Sequence, residues 1–157
     1  MGLPVRVRKQ EQTNWCWCAV AVGVCAFYDP ARSLAQCKAA ARVLGIADAC
    51  SRPGAGNVNT EWALDDALRK LGEPHRIEGT LDFQVIKAEI DARRPVPISI
   101  MFLTGRAHFA VIKGYRSYPP QTLLIADPKF GDFPSTHAEL HSGYPGSGFW
   151  QQSFLRR

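Results

Sequence analysis

The sequence predicts an α+β fold, with helices in its first half and antiparallel strands in its second. Three observations carry that reading. An uncharged run from Trp15 to Tyr28 ends at Asp29-Pro30. Helical spacing of apolar residues recurs as far as Arg93. After Pro95 the texture changes to β-branched and aromatic segments bounded by Pro and Gly. Helices followed by strands imply a buried N-terminal helix packed on an antiparallel sheet. The chain has 157 residues, room for one domain, and residues 1–157 are read as one.

The elements follow in order. Residues 1–13 are polar, carry Pro4, and read as a lead-in strand or loop. Asn14 is a suitable N-cap for a helix over Trp15 to Tyr28, and Pro30 stops it. A helix apolar all round is buried on all sides. Ser33 to Leu44 reads as a second helix ending near Gly45, and Ala49 to Asn59 as a loop. A third helix starts at Thr60 and ends at Gly72. A fourth spans Leu81 to Arg93, with Phe83, Ile86 and Ile90 on one face. Val96–Leu103, Ala107–Tyr115 and Thr122–Ala126 are strands. Asp127 to Gly148 reads as a long surface loop, and Phe149–Leu155 as a final strand.

Composition excludes several functions. Hydrophobic residues make up 46% and charged residues 21%, ordinary values for a folded protein. The apolar run of 14 residues is too short to span a bilayer, so no membrane span is expected. The net charge of +5 sits partly at the ends, in Arg6, Arg8, Lys9, Arg156 and Arg157. No basic stretch interleaved with aromatics appears, so no nucleic-acid partner is expected. The N-terminus lacks the pattern of a cleaved secretory signal. The expected location is the cytoplasm, or outside the cell by a route without such a signal.

Five cysteines, Cys16, Cys18, Cys25, Cys37 and Cys50, leave at least one thiol unpaired. No Cys-x-x-Cys pair is present, so neither a metal nor a cofactor is expected. Cys37 and Cys50 can approach one another across a short connection and would bond in an oxidising compartment. Cys16 falls in the first turn of the buried helix, where free N–H groups and the helix dipole favour a thiolate. Cys18 points about 200° away from it and reads, like Cys25, as a small core residue.

A nucleophilic thiol needs a base. His75, His137 and His141 lie in polar sequence and read as surface. His108 lies inside a strand and, by alternation, faces the helices together with Ala110 and Ile112. Asp127 ends the next strand. If the hairpin loop is Arg116 to Pro119, Tyr115 faces Pro120, and counting outward His108 faces Asp127 directly. Cysteine, histidine and carboxylate then make a nucleophile, a base and a group that orients the base. An asparagine oxygen could accept the same hydrogen bond, so an Asn at 127 is expected to keep substantial activity. Gln10 or Gln12 could supply an oxyanion donor beside the Cys16 N–H.

The blocks Gln10-Glu11-Gln12-Thr13-Asn14-Trp15-Cys16-Trp17, His108-Phe109-Ala110-Val111-Ile112-Lys113-Gly114-Tyr115 and Ala126-Asp127-Pro128 resemble a bacterial papain-like cysteine protease. The nearest groups are the type III effector proteases of plant pathogens and the double-glycine leader peptidases of bacteriocin exporters. The similarity runs from Gln10 to Pro128. It implies the papain-like fold, a hydrolase acting on a peptide or protein substrate, and a catalytic triad. In that triad Cys16 is the nucleophile, His108 the base and Asp127 the orienting group, with Gln10 as oxyanion donor. Cys18 departs from the pattern, since those relatives usually carry alanine there. The same triad would also suit an acyltransferase, deamidase or peptide cyclase, and the fold alone would suit a non-catalytic recognition module.

Overall fold

The apolar run does form a helix, α1 (Cys16–Tyr28), in a computed structural model that describes residues 1–157. Most of its residues are buried on every side, as its lack of charge demands. A short 3₁₀ turn, Pro30–Arg32, leads to α2 (Gln36–Leu44), which ends at Gly45 in the left-handed conformation. Then come α3 (Leu64–Lys70), β1 (His75–Glu78) and α4 (Phe83–Asp91). The strands β2 (Val96–Phe102), β3 (Ala107–Arg116) and β4 (Thr122–Asp127) follow the predicted segments closely. β5 (Gly131–Thr136), α5 (His137–Ser142) and β6 (Gly148–Arg156) complete the chain.

One antiparallel six-stranded sheet runs in the order β1-β6-β2-β3-β4-β5. α1 packs across β3, and α2 and α3 pack against α1. A core of 38 buried residues joins these layers, from Trp15 and Trp17 to Ile98, Ile112 and Ile125. The lead-in crosses both layers. Leu3 N–H donates to the Lys113 carbonyl, and Gln10 N–H donates to the Pro128 carbonyl. It passes so close to α1 that a Cβ on Gly23 would lie 2.7 Å from the Arg6 carbonyl oxygen.

Several expectations change. β1 escapes the sequence reading because it is a short edge strand with little apolar patterning. The third helix starts later than expected, at Leu64. The segment Asp127–Gly148 is not one long loop, since it holds β5 and α5 and buries Ser135, Leu140 and Tyr144. Its start signal was present in the sequence: Thr136 and Glu139 form a reciprocal capping box. The other histidines are half-buried rather than surface groups. His75 bonds Asp65 and the Glu73 carbonyl, and His137 bonds the Leu81 carbonyl.

Cys37 on α2 and Cys50 are joined by a disulfide with their Cα atoms 4.9 Å apart. The following loop supplies the Val58 and Thr60 carbonyls that accept the Trp15 and Trp17 indole N–H groups, at 2.8 and 2.9 Å. The bond closes a separation of 13 residues, so removing it releases roughly 2–3 kcal/mol of chain entropy in the unfolded state. Cys37→Ser/Cys50→Ser is expected to melt roughly 5–10 °C below the wild type. Reducing the wild type should bring it down to the same midpoint. Coincident oxidised and reduced melts would contradict this.

Candidate active site

Cys16 is the first residue of α1, and its side chain is nearly buried. Asn14 does not cap the helix. Its N–H and side-chain amide instead bond Asn59 at 2.9 and 3.0 Å, and its side-chain oxygen accepts from Arg106. Asn59 offers an acceptor to each donor of Asn14, which draws the side chain away from the helix end. Trp15 takes the cap position, with no side-chain capping bond. The first-turn N–H groups of α1 therefore stay without intrahelical partners at the cleft.

His108 is 3% exposed. Phe102 stacks on its ring at 5.5 Å and Phe130 meets it edge-on at 6.0 Å. Nε2 bonds Asp127 Oδ2 at 2.8 Å, which leaves the other ring nitrogen free in the cleft that Cys16 also lines. Burial is the largest single influence on His108 and favours its neutral form. Asp127 and Cys16 together outweigh it and push the imidazole up to about 9.

Asp127 reaches His108 by a route different from the expected one. The hairpin loop runs from Ser117 to Gln121, and Arg116 faces Thr122. That register, continued unbroken, would place Asp127 opposite Val111 and turn it away from His108. A bulge between Ile112 and Gly114 leaves Lys113 unopposed and brings Val111 opposite Ala126. Asp127 then stands opposite Ala110, on His108's face and diagonal to it. The two side chains meet across the diagonal rather than face to face.

The Asp127 carboxylate accepts four hydrogen bonds. Oδ1 takes the Lys129 and Phe130 N–H groups at 2.7 and 2.9 Å, and Oδ2 takes His108 and the Tyr144 hydroxyl. Burial pushes this carboxyl up, but the bond and charge of His108, then Tyr144 and the Phe130 N–H, hold it below its ordinary value. Tyr144, Phe102 and Phe130 were not picked out from the sequence. Gly143-Tyr144-Pro145-Gly146 reads as a turn, and nothing local shows what its tyrosine touches.

Gln10 and Cys16 line one cleft of about 290 Å³ with His108, Asn14, Arg106 and Lys129. Gln10 Nε2 donates to the Gln12 and Thr13 carbonyls at 3.0 and 2.8 Å, while its Oε1 is buried without a partner. The Gln12 side chain lies by Gly54 instead and does not line the cleft. The other free thiols are set apart from the cleft. Cys18 donates to the Gln36 carbonyl, and burial pushes it up to about 12. Cys25 is likewise pushed up, to about 11.

No curated protein matches the sequence. Among solved structures, a double glycine motif protease from an AMS/PCAT transporter, in complex with the leader peptide, superposes with a TM-score of 0.57. It is 21% identical, and the match covers 99% of this chain and 94% of that one, which establishes the papain-like fold. Residues 1–137 match the family described as papain-like cysteine protease AvrRpt2, and with its thiol-lined cleft on that fold the chain belongs to this family of cysteine proteases.

Proposed function

We propose that Cys16, His108 and Asp127 form the catalytic triad of a peptidase, with Gln10 as oxyanion donor. The observation that carries this is the buried imidazole bonded to Asp127 in the cleft that Cys16 lines. The Cys16 thiolate adds to the carbonyl carbon of a peptide bond. The oxygen takes up the charge, facing the Cys16 N–H and one Gln10 N–H exchanged from its turn carbonyls. The C–N bond breaks as protonated His108 gives its proton to the departing amine, leaving a thioester. Neutral His108 then takes a proton from water as the oxygen adds to the thioester. Collapse releases the acid and restores thiolate and imidazolium. A peptide or protein is the substrate class, in keeping with the leader peptide held by the structural neighbour.

The sign of the pH dependence follows from the imidazole. Departure of the amine needs His108 protonated, and its value is raised from 6.5 to about 9. Peptide hydrolysis should therefore persist through neutrality and decline only as pH rises through about 9. Rate profiles on a peptide substrate, with mass spectrometry for a thioester on Cys16 and for water added to the products, test the reading. A decline near the ordinary histidine value would refute the paired imidazolium. Products carrying an acceptor other than water would make the enzyme a transferase.

A further inference from the structure

We infer that Tyr144 is a positioning residue for the reaction: through Asp127 it sets how firmly His108 holds its proton. This rests on the triad proposed above. Tyr144 is 2% exposed, and its hydroxyl donates to Asp127 Oδ2, the oxygen that also accepts from His108. The site holds it on two sides. Its backbone is clamped to the start of β6, where Tyr144 N–H donates to the Gly148 carbonyl at 3.1 Å and Gly148 N–H returns a bond at 3.2 Å. Its ring packs against Phe133 at 5.6 Å and Phe130 at 6.5 Å. Burial, with the neighbouring carboxylate, pushes the phenol far above its ordinary range, so the group is always a donor.

The effect has a definite sign. A donor on Oδ2 stabilises the carboxylate in both states of His108, but most when the imidazole is neutral and the negative charge stands alone. Tyr144 thereby favours neutral His108 and lowers its hold on the proton. It offsets part of the pull of Asp127, so that the imidazolium can still release its proton to the departing amine. Other charged groups lie farther off. Cys16 faces the imidazole from α1. Lys129 lies over the Phe102 and Phe130 rings, and Arg106 and Glu61 line the outer cleft. β2 and the adjoining end of β6 contribute no titratable side chain.

Tyr144→Phe keeps the ring and removes only the donor. The test measures kcat and KM for peptide hydrolysis across pH, with thermal melts to confirm folding. The alkaline limb of the variant should move up by about half a unit or more. At neutral pH kcat should fall about 3- to 10-fold with KM unchanged, a part of what one hydrogen bond to a charged group is worth. A tyrosine that merely fills space would leave the limb in place. An unmoved or lowered limb therefore overturns the inference even if kcat drops.

If the variant does not fold, uniform replacement of tyrosine by 3-fluorotyrosine gives a second test, since only Tyr144 among the tyrosines bonds the triad. The more acidic phenol donates more strongly, so the limb should move down, and no shift or an upward one counts against the role. A wild type that lacks the alkaline limb, or a Cys16→Ala variant that still hydrolyses peptide, sinks the triad itself. A normal wild-type limb unmoved by both changes sinks only the part given to Tyr144.

Discussion

Cys16→Ala is expected to lose hydrolysis by about 10⁴-fold or more while melting close to the wild type. The loss is large because no other thiol can substitute. Cys18 and Cys25 sit in the core, where burial holds both in the neutral form, up to about 12 and about 11. Neither lines the cleft that contains Cys16 and His108. Stability should change little, since the substitution removes one sulfur at a site that already opens on the cleft. Cys18→Ala and Cys25→Ala should show the reverse pattern, turning over normally with somewhat lower melting points. The comparison needs single-turnover rates and thermal melts on all three proteins. An active, folded Cys16→Ala would remove the nucleophile assignment.

Asp127→Asn is expected to be nearly as damaging, a loss of about 10²- to 10⁴-fold in kcat/KM. From the sequence an amide oxygen looks sufficient, because one hydrogen bond to His108 is all the pattern requires. The four donors around the carboxylate reverse that expectation. An amide with its oxygen on the Lys129 and Phe130 N–H groups turns its NH₂ towards His108 Nε2. The ring must then accept there, its proton moves to the nitrogen facing Cys16, and the imidazolium is lost. Turned the other way, the NH₂ meets two partly buried backbone donors, at no more than roughly 1–3 kcal/mol for each left unpaired. In either case His108 loses an anionic partner, so the alkaline limb should fall from about 9 towards 6.5. Rate profiles of the Asn and Ala variants decide the matter. A folded Asn variant that follows the wild-type profile would show that the carboxylate's charge is dispensable.

Patterns confined to one element were the legible part of the fold. The uncharged run of α1, the facing Phe83, Ile86 and Ile90 of α4 and the apolar strands β2 to β4 each bear their own signal, and the structure has all of them. Residues whose roles depend on distant partners were harder to read. Asn14 has the composition of an N-cap, yet Asn59, 45 positions away, claims it. Tyr144 stands among glycines and a proline that read as solvent-facing, and only the folded chain brings Asp127 to its hydroxyl. Cys16, His108, Asp127 and Gln10 could be nominated because residue type and element position together narrow the choice. The register joining two of them could not be counted, because a bulge leaves no mark in composition.

That bulge bears on how the chain can vary by descent. The face on which Asp127 stands depends on an even or odd count between two strands, and no change of side chain alters a count. Substitutions along β3 and β4 can erode packing gradually, but they leave the carboxylate on its side of the sheet. Deleting the unopposed Lys113 would only smooth the ladder and keep Ala110 opposite Asp127, whereas deleting one residue between His108 and the bulge, such as Val111, would set His108 and Asp127 on opposite faces in one step. The neighbouring position is constrained as well, because a Cβ on Gly114 would lie 2.6 Å from the Met1 carbonyl oxygen and 2.9 Å from Gly2 Cα. Length changes between His108 and the bulge are therefore all-or-none for this lineage. Gain and loss of residues should be tolerated in the turn Ser117–Gln121, where pairing has already ended, and selected against between His108 and Ile112.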